Sequence, residues 1–572
     1  MHETTTVPAA VSSRRTHRVL DRRLARYPGQ HSRLLYLAIT VVVTVMLYYE
    51  LYVGGSVATQ VIAEFGFTFT EYILILVVGS ALGACASLLA GLADRWGRAN
   101  LIIGGLLLTG LLVALGVPHA PNKLVYAIVF AALSIVEGIV LVATPALVRD
   151  FSPQVGRGAA MGFWTLGPVL GSLVASVVSS RTLGDHPDWR FQFHVCGIAG
   201  LVVFAVAFVG LRELTPGLRN QLMVNLKDRT LVEARAAGLD AETARHGHWR
   251  QMLRLDIVGP ALAIALFLVL YYIVTGFQVV YFVTVHGYTE QKANALANWY
   301  WLANAVVLVG AGVLSDRLRV RKPLMVGGAL VCAASTAVFA VVSRDLSTSY
   351  YTFALIFVVA AVGGGTAYVA WMAAFTETAE RRNPAATATG LAIWGWTVRA
   401  VVAVSYVLLL VAVPATSTLI DHGQRAQEIQ TRYPAQVATI SAVDPTTLAA
   451  LQRNTRAPEP AVLLRAETQI VAAGLAPDNA GALQRLLQLT TQPIPANDIE
   501  YLGRHGAEVR QALRDNPRQW ARWWWICFAT QLAFLPCVFV LTGRWSPRKA
   551  RHDESEHERR AQRELAALQR LV

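Results

Sequence analysis

Long apolar runs alternate with short polar breaks along nearly the whole chain. The runs fall at roughly 34–60, 71–92, 100–118, 123–148, 158–180, 190–211, 255–283, 293–314, 322–342, 350–377, 386–413 and 521–542. Each is about as long as the ~20-residue helix that crosses a bilayer, so the pattern predicts twelve membrane spans. The polar segments divide the chain further. Residues 1–33 form a basic arm, 34–211 a first set of six spans, 212–254 a charged linker, and 255–413 spans seven to eleven. Residues 414–519 form a long insert, 520–543 the last span, and 544–572 a charged tail.

The insert is too long for a simple connection and too patterned for an unstructured one. Asp444-Pro445 reads as a helix cap with proline at the first helical position, and 461–473 and 481–489 carry apolar residues at helical spacing. A small helical cap outside the membrane is predicted. Within the arm, Val19, Leu20 and Leu24 could also lie on lipid as a short surface helix.

Composition supports a membrane chain. Of 572 residues, 54% are hydrophobic and only 15% charged, and the mean hydropathy is +0.44. A formal charge of +14 would suggest nucleic acid in a soluble protein. Here the basic residues gather in alternate loops, at Arg95/Arg98, Arg149/Arg157, Arg317/Arg319/Arg321/Lys322 and Arg381/Arg382. That distribution sets orientation, with both termini cytoplasmic, and excludes a nucleic-acid role. Cysteines 85, 196, 332, 527 and 537 stand singly in apolar runs, which predicts free thiols and no metal site. No Gly-x-Ser-x-Gly, His-Glu-x-x-His or phosphate-loop pattern supports an enzyme.

Ionisable groups inside the spans are the first candidates for chemistry, because an isolated charge there costs at least a few kcal/mol. Glu50 lies in span one within Tyr48-Tyr49-Glu50-Leu51-Tyr52, Glu137 in span four and Arg399 in span eleven. Loss of water favours the neutral form of a carboxyl, so a buried glutamate can load and release a proton as a cavity changes sides. Both glutamates are therefore proton-coupling candidates; a structural pair of Glu50 with Arg399 or with tyrosine hydroxyls is the alternative. Arg399 beside Trp394 and Trp396 could bind an anionic or amphipathic substrate, or could simply pair a carboxylate. Tyr49, Tyr52, Gln278, Tyr281, Asn298, Trp301, Asn304, Tyr368 and Trp371 complete the cavity candidates. Aromatic surface with few polar groups suits a hydrophobic or amphipathic molecule better than a sugar.

Two motifs add a resemblance. Gly91-Leu92-Ala93-Asp94-Arg95-Trp96-Gly97-Arg98 lies between spans two and three, and Gly312-Val313-Leu314-Ser315-Asp316-Arg317 repeats it in the second half. The first resembles the loop signature of the major facilitator superfamily, and the repeat fits that family's two six-helix halves. In span five, Gly162 to Gly171 contains Gly167-Pro168-Val169-Leu170-Gly171, similar to the superfamily's antiporter motif. The resemblance implies an all-α fold of twelve helices in two halves, with spans one, four, seven and ten lining a central cavity. It implies alternating access, with Asp94, Arg95, Arg98, Asp150, Asp316 and Arg317 latching the outward-facing state. It implies also that Gly162, Gly167, Pro168 and Gly171 pack against a helix of the other half. Ser134 stands where antiporters of the family often carry an arginine, which departs from their usual proton relay.

The function expected is secondary active transport, a proton-coupled exporter of a hydrophobic or amphipathic small molecule in a bacterial cell membrane. A lipid or envelope-precursor flippase, a proton-coupled importer, a membrane enzyme and a transport-dead receptor are the alternatives. No cofactor is expected and the coupling ion is H+. The expected partners are a small-molecule or lipid-like substrate, membrane lipids and an envelope protein for the insert, with the chain otherwise monomeric.

Overall fold

The computed structural model describes residues 22–87, 97–152, 165–215, 218, 252–318, 320–382, 387–453, 459–491, 493–548 and, singly, 556, 559 and 563. Gly91, Asp94, Arg95 and Gly162 lie outside the described residues, as do most of the linker and tail. The described residues are almost entirely helical, and the chain forms two compact units. The first comprises 1–412 and 520–572, the second 413–519.

In the first unit the helices are α1 (Gln30–Ser56), the short α2 (Ala58–Phe65), α3 (Phe69–Ser87) and α4 (Arg98–Leu111), which runs on through a π turn at Leu112–Gly116. Next come α5 (Lys123–Phe151), α6 (Gly167–Thr182) and α7 (Trp189–Gly210). The second half holds α8 (Leu255–Phe267), α9 (Val269–His286), α10 (Glu290–Leu318), α11 (Lys322–Val342), α12 (Tyr350–Arg382) and α13 (Thr387–Ala412). Among the described residues eleven helical stretches are long and apolar enough to span a membrane, α8 and α9 counting as one. The fifth predicted span is described only as the sixteen residues of α6.

Helix ends follow local chemistry. Asn122 caps α5 by accepting from the Val125 N–H at 3.0 Å, and Asp188 caps α7 through Arg190 N–H. Gly97, at φ +92°, turns the chain into α4 with a backbone that L side chains rarely adopt. Having no side chain, it cannot cap α4. Glu213 does so from a distance, its Oε2 accepting Arg98 N–H at 2.7 Å.

Glu213 belongs to a short strand that the sequence pattern does not announce. β1 (Arg23–Leu24) pairs in parallel with β2 (Glu213–Leu214), with Arg23 opposite Glu213. Leu24 is thus in a strand, while Val19 and Leu20 of the alternative surface helix lie outside the described residues, and α1 starts at Gln30, ahead of the expected residue 34.

Each half is held by small residues where backbones cross. A Cβ on Gly83 of α3 would lie 2.9 Å from Ser134 O of α5, and one on Gly138 would lie 2.8 Å from Gly83 Cα. In the second half, a Cβ on Gly328 of α11 would lie 2.6 Å from Gly363 O of α12. Such contacts let helices approach closely where lipid offers no hydrophobic drive for association.

The second unit contains α14 (Pro414–Thr418), a π turn at Leu419–Gly423, α15 (Gln424–Arg432), α16 (Pro434–Ala442) and α17 (Pro445–Arg453). α18 (Pro460–Ala472) and α19 (Asn479–Thr491) follow, and α20 (Ala496–Phe534) carries the chain back into the first unit. The final apolar segment is broken after Phe534, where Pro536 precedes the short α21 (Cys537–Val540). Prolines start α14, α16, α17 and α18, where the missing N–H costs nothing. Val443, Ala466, Ile470, Ala476, Ala482 and Leu486 form a core of the unit's own.

Asp444 joins α17 to α18. Its carboxylate accepts from the Gln469 side chain, from the Thr446 and Thr447 N–H groups at 3.0 and 2.9 Å and from the Thr447 hydroxyl at 2.7 Å. The Gln469 bond, followed by those from the two threonines, holds this carboxyl well below the usual carboxylate range. A depressed native pKa stabilises above the ordinary aspartate value and the effect fades as the medium is acidified below it. Asp444→Ala should therefore make the insert of the full-length protein cleave faster in limited proteolysis. The gap from wild type should narrow as pH falls below about 4, with pepsin as the acid-active probe. Equal cleavage at neutral pH would remove Asp444 from the stability of this unit.

Candidate functional site

The two halves of the first unit are bonded to one another at one end of the bundle. Asn294 of α10 donates to Ser56 O at the end of α1, at 2.8 Å, and Asn298 donates to Ser180 Oγ of α6, at 2.9 Å. Gln291 reaches Ser180 O at 3.3 Å, and the Glu290 carboxylate accepts from the Thr59 hydroxyl, the Gln60 side chain and Gln60 N–H. At the opposite end the described ion pairs stay within each half. Arg98 pairs with Asp150 at 2.8 Å, tying the start of α4 to the end of α5. Arg321 pairs with Asp316 at 2.8 Å and Glu377 at 3.3 Å, tying the start of α11 to the ends of α10 and α12. Arg321 and Glu377 thus hold in the second half the places that Arg98 and Asp150 hold in the first. Arg317 is exposed. The clasp therefore lies at the end remote from the charged hairpins.

The clasp should set the balance between closed and open forms. Glu290→Ala combined with Asn294→Ala is expected to shift that balance about tenfold or more towards separation, since hydrogen bonds to charged groups contribute about 1.5–3 kcal/mol. Spin labels at Pro121 and Leu346, in loops at this end, should show a longer distance population; an unchanged distribution would dismiss the clasp.

Inward of the clasp, tyrosines from both halves converge. Tyr48 and Tyr52 of α1, one turn apart, stand with ring centroids 5.6 Å apart. Their phenols lie within electrostatic reach of Tyr271 and Tyr272 of α9, and Tyr52 also reaches Tyr406 of α13. Tyr300 of α10 and Tyr368 of α12 approach Tyr271. The Tyr406 hydroxyl donates to Tyr272 O at 3.4 Å, and the Tyr271 hydroxyl is buried without a partner. A cavity of about 70 Å³ opens here, lined by Thr165, Pro168, Tyr271, Tyr272, Asn304 and Tyr368 among others. Ordinary ligand pockets measure about 300–1,000 Å³, so a drug-sized molecule requires the halves to part.

The two glutamates lie elsewhere. Glu50 is two residues beyond Tyr48, about 200° around the helix, and so points away from the cavity into the first half. It is 1% exposed and packs against Gly200 of α7, where a Cβ would collide with its carboxylate. Glu137 is 2% exposed and within electrostatic reach of Glu50 and of Tyr48. All four carboxylate oxygens are buried, and among the described residues none accepts a hydrogen bond of normal geometry, although the Thr109 hydroxyl stands beside Glu50. Glu50 forms no pair with Arg399, and its expected aromatic cavity is replaced by the α1, α4 and α7 packing. Tyr49, buried beside Cys196, shares that inner face.

Other sequence expectations divide. Asn304 and Tyr368 line the cavity and Tyr52 belongs to the tyrosine cluster. Tyr281 is instead locked in an aromatic core with Phe339, Trp520 and Trp524. Trp371, fully buried, stacks on Phe375 inside the second half, and Gln278 donates to Ala293 O. Trp301 packs on Tyr271 and Tyr300. Trp396 is 57% exposed on the outer face of α13; Trp394 turns inward to Tyr368 and Trp371. Gly167 and Gly171 also correct an expectation. Their Cβ positions would meet Thr44 and Tyr48 of α1, at 2.6 and 2.5 Å, so the glycine face of α6 packs within its own half. Tyr48, Tyr271, Tyr272, Tyr300 and Tyr406 were not singled out by sequence. The signal available was the spacing of Tyr48 from Tyr52 and the adjacent phenols Tyr271-Tyr272 in an otherwise apolar span.

A polytopic bundle of two clasped helical halves around a central cavity is the architecture of a membrane transporter. The Major Facilitator Superfamily profile matches residues 38–404, and the chain belongs to that family. Probable transporter AQR1 of Saccharomyces cerevisiae is 29% identical over 149 residues, 25% of this chain and 24% of its own. Efflux pump radE of Floropilus chiversii is 27% identical over 193 residues, 33% and 31% of the two chains. The matches thus span a quarter to a third of the length of these curated relatives. Among solved structures, a bacterial homologue of the human lysosomal transporter Spinster, inward-facing and occupied, aligns with 91% of this chain and 100% of its own. Its TM-score is 0.52 at 15% identity. The proton:xylose symporter XylE bound to 6-bromo-6-deoxy-D-glucose gives 0.51 at 14% identity, covering 68% and 91%. These likenesses concern the fold.

Proposed function

We propose that this protein is a proton-coupled exporter of hydrophobic or amphipathic small molecules, working by alternating access in a bacterial cytoplasmic membrane. The observation that carries the reading is the pair of buried carboxyl groups without an ion-pair partner among the described residues: Glu50, set behind the α1 wall whose other face bears Tyr48 and Tyr52, and Glu137, within electrostatic reach of both Glu50 and Tyr48. A carboxyl without ion-pair partner or water is held at low cost only with its proton, and a change of access that wets it releases that proton. The cavity wall joins apolar residues to four phenols and the Thr165, Asn304 and Gln531 side chains, which suits an amphipathic body. The antiporter-type Gly-Pro-x-x-Gly in α6 and the relative named as an efflux pump favour export. The basic residues of the hairpins favour a cytoplasmic position for both termini.

Proton and substrate then occupy different places. Protons load inside the first half, substrate binds between the halves, and α1 links the two. The hairpin pairs Arg98–Asp150 and Arg321–Glu377 lie at the end that must open and close opposite the clasp. Substrate-evoked proton movement in proteoliposomes, followed with an internal pH dye over cationic drugs, acidic amphiphiles and lipids, tests the reading. Proton flux opposite to substrate is the expected result. Substrate movement without a proton signal would sink the coupling, and in that case translocation of labelled lipid would mark a flippase.

A further inference from the structure

Arg399 stands in the middle of α13 with no hydrogen bond or ion pair among the described residues. A guanidinium remains charged at all working pH values, and an unneutralised charge at that depth is costly. Its surroundings are specific. Tyr406, seven residues on and hence on the same helix face, donates to Tyr272 O at 3.4 Å. That contact directs the face towards α9. Arg399 lies within electrostatic reach of Tyr272, which lines the cavity, and of Tyr48 on α1. Glu50 is turned into the first half, and among the described residues neither span glutamate forms an ion pair with Arg399.

The polar groups on or beside that wall, the phenols, Thr165 and the amides of Asn304 and Gln531, can each donate a hydrogen bond as well as accept one. Phenol hydroxyls of Tyr48, Tyr271 and Tyr272 can donate to an incoming oxygen, and Tyr271 has no partner to give up. Aromatic rings alone would also welcome a cation. The adjacent guanidinium repels one, and its planar fork matches an oxyanion.

We propose that Arg399 and the tyrosine cluster make the cavity selective for amphipathic acids, molecules with a carboxylate, sulfonate or phosphate-ester head on an apolar body. Arg399 and the phenols take the head, and the rings and the Leu268, Leu270 and Leu308 side chains of the cavity wall take the body. This rests on the cavity being the transport site and says which substrates that site prefers. A free amphiphile and an anionic lipid share this chemistry.

The test is equilibrium binding to full-length protein in nanodiscs of zwitterionic lipid, with empty nanodiscs as the partition control and no proton gradient. The probes are a matched fluorescent pair, 1-pyrenebutyrate and 1-pyrenebutyl-trimethylammonium. Wild type should bind the anion at least about tenfold tighter than the cation, as loss of a charge-assisted contact predicts. Arg399→Gln should abolish that preference and Arg399→Lys should keep most of it. Phosphatidylglycerol in the nanodiscs separates the two sources. Weakened anion binding in wild type but not in Arg399→Gln assigns the site to lipid, and unchanged binding assigns it to a soluble acid.

Equal or tighter binding of the cation, or a preference that survives Arg399→Gln, overturns the inference. The wild-type comparison stands even if a variant fails to fold. Because no gradient is used, anion preference without proton flux would defeat only the coupling proposal. Proton flux with no anion preference would defeat only this one.

Discussion

Glu50→Gln should leave ligand binding nearly intact while substrate-evoked proton movement falls to background. The change is isosteric and removes the one property the proposal needs, a proton that can be lost. Binding should survive because Glu50 faces Gly200 and the α4 side of the first half, on the opposite side of α1 from Tyr48 and Tyr52. A cavity-facing proton carrier would behave differently, since its protonation would compete directly with substrate. Glu137→Gln separates the two carboxyls. Glu137 is near enough to Glu50 to feel its charge and near Tyr48 as well, so this variant should slow coupled flux without abolishing it. The measurement is the internal pH signal in proteoliposomes beside binding of the same compound in detergent. Full proton flux in Glu50→Gln would end its role as carrier, and loss of binding would place it in the substrate site instead.

What could be read from the chain beforehand follows from what a membrane does to sequence. Span positions, hairpins and helices of the insert were legible because charge, proline and glycine mark where chain leaves the bilayer or turns. The Asp444 cap and the Arg98–Asp150 pair lie at such ends. Helix faces were not legible. A soluble helix shows its buried side as an apolar stripe, whereas a spanning helix is apolar all round, whether it meets lipid or protein. Hence Tyr49 and Glu50 could be assigned to the cavity although Tyr48 and Tyr52 hold that face, and Trp396 could be preferred to Trp394 although it turns outward. The glycines of α6 posed the same problem. Gly167 and Gly171 announce a close approach, and only the fold says that α1 is the helix approached. Arg321 and Glu377 were obscured because the repeat drifts in sequence while the geometry of the pair is kept.

Gly138→Ala should be among the most damaging single-methyl changes in the molecule. The added carbon would lie 2.8 Å from Gly83 Cα and 2.9 Å from Gly83 C, and the backbone of α3 cannot step aside as a side chain can. The helices must separate along their length, at a cost of about 3 kcal/mol or more. Gly104 is the natural control. It lies within α4, and a Cβ there meets nothing within 4 Å. Removing backbone freedom without a clash should make Gly104→Ala neutral or stabilising, by up to about 1 kcal/mol. The same substitution thus carries opposite signs in neighbouring helices, and thermal unfolding of the purified full-length protein reads both. Equal midpoints for the two variants would mean that α3 and α5 do not meet at Gly83 and Gly138. The effect also bears on transport, because Glu137 precedes Gly138 and Ser134 stands one turn earlier against Gly83. A widened α3–α5 crossing would admit water beside a carboxyl that is otherwise dry. Any Gly138→Ala protein that still folds should therefore leak protons in the absence of substrate, which the pH dye would register before ligand is added.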